Sequence, residues 1–152
     1  MKVLLVEDEE HKTADLTERL LAAGVAEGNL EIAQGVKEAV LKVGATDFGL
    51  IVLDMALPTF SKDQAKGGEG GVNQAVGGME VLRALKACSR NTRIIVVTQY
   101  PDVIISGDRI KLNNIPRLIS QKYGQTVVGA ILYSYKSPDW EAAFDSVMER
   151  IK

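Results

Sequence analysis

Val3-Leu4-Leu5-Val6-Glu7-Asp8-Glu9-Glu10 sets four apolar residues directly against four acids. A short Val/Leu run with no polar alternation reads as a strand covered on both faces. Beginning at Lys2, that run has four counterparts along the chain: Leu30–Ala33 (LEIA), Leu50–Leu53 (LIVL), Ile94–Val97 (IIVV) and Val127–Tyr133 (VVGAILY). Glu31 interrupts the second, which reads as a strand nearer an edge. Helical spacing fills the intervals. Leu16, Leu20 and Leu21 share a face with Gly24 as the stop, and Val36, Ala39, Val40 and Val43 share another with Gly44 as the stop. Val81, Leu82 and Leu85 repeat the pattern. Ser137 as N-cap and Pro138 at the first helical position open a last helix through Trp140, Phe144, Val147 and Ile151. Parallel strands need crossover connections, so this alternation predicts an α/β fold, a doubly wound five-stranded parallel sheet with helices on both faces. Ligands of such sheets bind in the crevice at the carboxyl ends of the strands, so function is sought among strand-ending residues.

The chain has 152 residues, 46% hydrophobic and 25% charged, which suits one domain spanning 1–152. A formal charge of −2 and a pI near 5.5 give no basic excess of the kind nucleic-acid binders carry. No apolar run approaches the roughly 18 residues that cross a bilayer, and the acids from Glu7 cut the first run too early for a signal peptide. One cysteine, Cys88, cannot form an internal disulfide; it reads as semi-buried filler. These points predict a cytoplasmic protein without nucleic-acid or membrane partners. Two segments exceed the minimal pattern. Residues 59–78 contain Gly67-Gly68-Glu69-Gly70-Gly71 and Gly77-Gly78 and read as a long mobile Gly-rich loop, a candidate lid or docking strap. Residues 101–125 read as an enlarged region with a helix near Asn114–Tyr123.

The strand ends carry the chemistry. The first strand exits into Glu7, Asp8 and Glu9; the third exits at Asp54, followed by Met55-Ala56-Leu57-Pro58; the fourth exits at Thr98; the fifth carries Tyr133 and then Lys136. On one edge of a parallel sheet Glu7, Asp8 and Asp54 should converge, and clustered carboxylates need a cation to stay ionised. All-oxygen ligation suits Mg²⁺, and an Asp beside such an ion is a nucleophile for phosphoryl transfer. Taken singly, each feature has a plainer reading: a solvated turn for the acids, a turn former for Asp54, a β-branched strand residue for Thr98.

Together VLLVEDEE, LIVLDMALP, IIVVTQ and a fifth strand ending in Tyr-x-x-Lys resemble a bacterial response-regulator receiver domain over essentially the whole chain. The resemblance implies a flavodoxin-like sheet of order 2-1-3-4-5. It implies Asp54 as phosphoacceptor, Asp8 binding Mg²⁺ directly, Glu7 binding partly through water, and Ala56 giving a backbone carbonyl to the metal. Thr98 matches the switch hydroxyl, Tyr133 the rotating aromatic and Lys136 the phosphate-pairing lysine. Gln99 stands at a position after Thr98 that is usually small in receivers, with Tyr100 next, and the two are expected to crowd the site; Lys136-Ser137-Pro138 replaces the usual Lys-Pro. The expected function is a receiver phosphorylated by a sensor histidine kinase or phosphotransfer protein. It would signal to a separate output protein, because the sequence ends directly after the last helix. A pseudo-receiver acting as an interaction module without phosphorylation is the alternative. A phosphohydrolase is disfavoured, since Ala56 occupies the second acid of the Asp-x-Asp pair that haloacid-dehalogenase-type phosphatases need.

Weaker motifs resolve plainly. His11 reads as an exposed first-turn residue, Asp47-Phe48-Gly49 lacks every other kinase motif, and Trp140 reads as packing the last helix on the sheet.

Overall fold

Every apolar run is a strand, and the strands end in register. A computed structural model describes residues 1–57, 76–105, 107–135 and 137–151 of the chain. β1 (Val3–Val6), β2 (Leu30–Ala33), β3 (Leu50–Leu53), β4 (Arg93–Thr98) and β7 (Thr126–Leu132) form one sheet in the order β2-β1-β3-β4-β7, parallel throughout. This is the expected 2-1-3-4-5 order. Val6 pairs with Ala33 and Leu53, and Leu53 with Val96, so the carboxyl ends lie along one edge.

Strand alternation sorts the apolar side chains into two layers. Leu4, Val6, Ile51, Leu53, Ile94 and Val96 face α2 (Val36–Ala45), α3 (Val76–Ala87) and α4 (Ile115–Tyr123). Val3, Leu5, Leu50, Val52, Ile95 and Val97 face α1 (Glu10–Ala22) and α5 (Asp139–Arg150). All twelve of these strand residues are buried, which explains why the runs show no polar alternation.

Local expectations shift at four places. Gly44 lies inside α2 rather than stopping it, whereas Gly24, at φ +102°, does follow the end of α1. The last helix begins at Asp139, whose N–H donates to the Ser137 hydroxyl at 3.4 Å. The Gly-rich loop expected at 59–78 lies outside the described residues up to position 75, but Val76–Gly78 are the first turn of α3. Glycine is needed there for proximity: a Cβ on Gly77 would lie 2.1 Å from the Leu57 carbonyl oxygen, and one on Gly78 2.6 Å from the Met55 Cα. Region 101–125 holds the helix expected near Asn114–Tyr123, as α4, and ahead of it an unexpected antiparallel hairpin, β5 (Asp102–Ile105) and β6 (Asp108–Lys111). Val103 and Ile105 anchor it in the core.

One irregularity marks the outer strand. Ile94 pairs with Val127 and Ile95 with Gly129, so Val128 is an extra residue in a β-bulge. The Arg150 guanidinium, at the end of α5, donates to the Val128 carbonyl at 2.9 Å. Gly129 then faces Val147 so closely that a Cβ would lie 2.7 Å from its Cγ2.

Candidate functional site

The exits of β1 and β3 build the site. Glu7 follows β1 and is 2% exposed; its Oε2 accepts the backbone N–H groups of Asp8 at 3.1 Å and Glu9 at 3.0 Å. This folds the carboxylate back over the turn into α1. Asp54 follows β3, is 9% exposed, and has its N–H bonded to the Val6 carbonyl at 3.2 Å, so the sheet ladder continues to Asp54 itself. Its Oδ1 accepts the Ala56 N–H at 3.1 Å. Asp8 projects from the turn and is exposed. One carboxylate oxygen from each of Glu7, Asp8 and Asp54 lies within 4.8 Å of the others. The three acids predicted to converge do so.

They open into a cleft of about 710 Å³, lined also by Ala56, Gln34, Gln99 and Tyr100. Gln99 and Tyr100 line this cleft, with Gln99 Nε2 donating to Glu9 Oε2 at 2.8 Å. Thr98 is fully buried at the end of β4, its hydroxyl accepting the Tyr100 N–H at 3.2 Å. Tyr133 follows β7 and is turned inward, 2% exposed, with its ring 5.0 Å from that of Trp140. Its hydroxyl donates to Asp15 Oδ2 at 2.6 Å. Lys136 lies outside the described residues. His11 is on the surface and stacks on Tyr135 at 4.2 Å, while Cys88 is exposed rather than semi-buried.

Two residues at this site escape the motif reading, both from α1. Asp15 holds the Tyr133 hydroxyl. Lys12 is 1% exposed, with its Nζ 2.7 Å from Glu7 Oε1, 3.6 Å from Asp54 Oδ2 and 3.0 Å from the Val97 carbonyl it donates to. The signal was present in the spacing: Lys12, Leu16 and Leu20 repeat every fourth residue, so a lysine occupies the apolar face of α1. The electrostatics follow from burial. Desolvation, reinforced by the Asp54 charge and opposed by Lys12, pushes the Glu7 carboxyl up from 4.5 to about 7. Burial also raises Asp54, against the pull of Lys12 and the Ala56 N–H. Burial and the Asp15 contact raise the Tyr133 phenol. As a donor set, three carboxylates in an open cleft fit a hard divalent cation that keeps some of its water.

The doubly wound sheet and the helices on its two faces share the fold of solved response-regulator receiver domains. The N-terminal domain of a response regulator/sensory box/GGDEF protein from Carboxydothermus hydrogenoformans superposes with a TM-score of 0.64 at 17% identity, covering 99% of this chain and 92% of that one. The receiver domain of a sensor histidine kinase from Pseudomonas aeruginosa PAO1, with a magnesium ion coordinated in its active-site cleft, gives 0.60 at 18% identity, covering 98% and 94%. In sequence, the chain is 28% identical over 142 residues to the Detocs response regulatory protein DtcB of Vibrio alginolyticus, covering 91% of this chain and 93% of the relative. It is likewise 28% identical over 143 residues to the uncharacterized protein y4jR of Sinorhizobium fredii, covering 94% and 93%. No protein-family model matches. Among the described residues no helix is long and apolar enough to cross a membrane.

Proposed function

We propose that the chain is a phosphorylatable receiver: Asp54 accepts a phosphoryl group from a sensor histidine kinase or phosphotransfer protein, and the modified chain signals to a separate output protein. The observation that carries this reading is the convergence of Glu7, Asp8 and Asp54 within 4.8 Å at the carboxyl edge of the sheet. Glu7, Asp8, Asp54 and the Ala56 carbonyl would hold Mg²⁺, which when bound neutralises charge on phosphoryl oxygens. The Ala56 N–H fixes Oδ1 of Asp54 and with it the plane of the carboxylate, so the nucleophile meets phosphorus in a preset orientation. Attack makes an aspartyl O–P bond as the donor's leaving group departs with its bonding pair. Thr98 and Tyr133 are the switch pair in this reading, and Lys136 the lysine that pairs with the phosphoryl group.

Incubation with acetyl phosphate and Mg²⁺ should add one phosphoryl group to the wild-type chain, read by intact mass, and none to Asp54→Asn. An adduct of equal yield on Asp54→Asn overturns the assignment. The pseudo-receiver reading has one observation in its favour, the Lys12 ammonium already seated among the acids. A wild-type chain that stays unmodified supports it.

A further inference from the structure

The acidic cluster contains a cation of its own. A lysine is seldom fully buried, because its ammonium gives up water on leaving the surface. Lys12 also stands in the first turn of α1, where the helix dipole disfavours positive charge. Both penalties are offset by what its Nζ meets: Glu7 Oε1 at 2.7 Å, Asp54 Oδ2 at 3.6 Å and the Val97 carbonyl at 3.0 Å. Two of these partners are carboxylates of the three-acid cluster, and Lys12 is the one cationic side chain among the described residues lining the cleft. The Tyr133 ring closes over the same ammonium, 5.6 Å from Nζ to the ring centroid. Lys12 is therefore held from several sides in a place where a hard divalent ion would draw on two of the same carboxylates.

We propose that Lys12 is a resident counter-ion of this cluster: it neutralises Glu7 and Asp54 in the metal-free protein and sets a ceiling on how tightly Mg²⁺ binds. The inference rests on reading Glu7, Asp8 and Asp54 as a Mg²⁺ site, and it is independent of whether Asp54 is phosphorylated. Ammonium and metal share one set of negative charges, so each weakens the hold of the other. Removing the ammonium while keeping a side chain of similar length leaves the carboxylates to the metal alone. Keeping the charge in a different shape should leave the ceiling in place.

Isothermal titration of the full chain with MgCl₂ tests this in wild type, Lys12→Gln and Lys12→Arg. Lys12→Gln should bind Mg²⁺ at least about tenfold more tightly, about 1.4 kcal/mol or more, and Lys12→Arg should stay within about threefold of wild type. Equal or weaker binding by Lys12→Gln overturns the proposal, as does equal tightening in Lys12→Arg, which would trace the effect to packing. Should Lys12→Gln fold only with metal present, the metal has taken the place of the ammonium among the carboxylates, which supports the proposal. A Lys12→Gln chain unfolded at every Mg²⁺ concentration shows that metal cannot replace the ammonium, and the proposal fails. Tightened binding in Lys12→Gln beside an unphosphorylated wild type removes the receiver function and keeps this inference. Equal affinities beside a phosphorylated wild type do the reverse.

Discussion

Glu7 has one oxygen on two backbone amides and the other beside the Lys12 ammonium, yet burial still holds its carboxyl near 7. Over the interval from 4.5 to about 7 the native chain retains a proton that the unfolded chain releases. That proton contributes stability in full below pH 4.5, and the contribution is lost as pH rises through about 7. Asp54, also raised by burial, acts in the same direction. In the presence of a chelator, the melting temperature should therefore fall between pH 4.5 and 7.5, and Glu7→Gln should reduce the fall; thermal melts at half-unit pH steps decide it. An unchanged profile in Glu7→Gln would assign the slope to other groups. The same residue shows where sequence reading stops. Acids after a strand are visible in a string of letters, but the burial of Glu7, and of the lysine opposite it, exists only once α1 closes over the sheet.

At the scale of elements, continuous apolar runs were legible because strands covered on both faces leave no choice of pattern. The glycines were less so. Gly77 and Gly78 carry the composition of a loop, whereas they begin a helix that must pass within contact distance of the turn after Asp54. Gly78 donates its N–H to the Met55 carbonyl at 3.0 Å, so the helix start and that turn are one unit. Gly78→Ala should gain about 1 kcal/mol of helix propensity and lose more to the clash with the Met55 backbone. The clash wins, and chemical denaturation should show a net loss of about 1–3 kcal/mol. A neutral or stabilising result would mean that the turn yields easily. The β5–β6 hairpin was equally hidden: Asp102–Lys111 is too short and too mixed in polarity to separate from a loop by periodicity. It becomes a hairpin because Val103 and Ile105 reach the core and Gly107, at φ +86°, accepts the left-handed turn.

For the whole molecule, assembly of the sheet is what makes the site, since Glu7 and Asp8 arrive from one strand and Asp54 from its neighbour. Mg²⁺ that binds this arrangement binds the native chain alone and must raise its melting temperature. Millimolar Mg²⁺ should stabilise wild type more than Asp8→Asn, compared by thermal melts in parallel; equal shifts would place the metal elsewhere. Asp54, Glu7 and Asp8 could be picked from sequence because parallel order sends strand ends to a common edge. Lys12 was marked only by its place on the apolar face of α1, and which groups it and Asp15 meet is settled by how that helix packs on the sheet. That packing also governs the outer margin of the sheet. β7 is a terminal strand, and such strands invite pairing with a second chain. The bulge at Val128 breaks the even spacing of its backbone groups, and Arg150 occupies the carbonyl that the bulge sets apart. A strand approaching from outside would meet a ladder out of step and a guanidinium already in residence, so the fold resists chain-to-chain aggregation along the β7 edge.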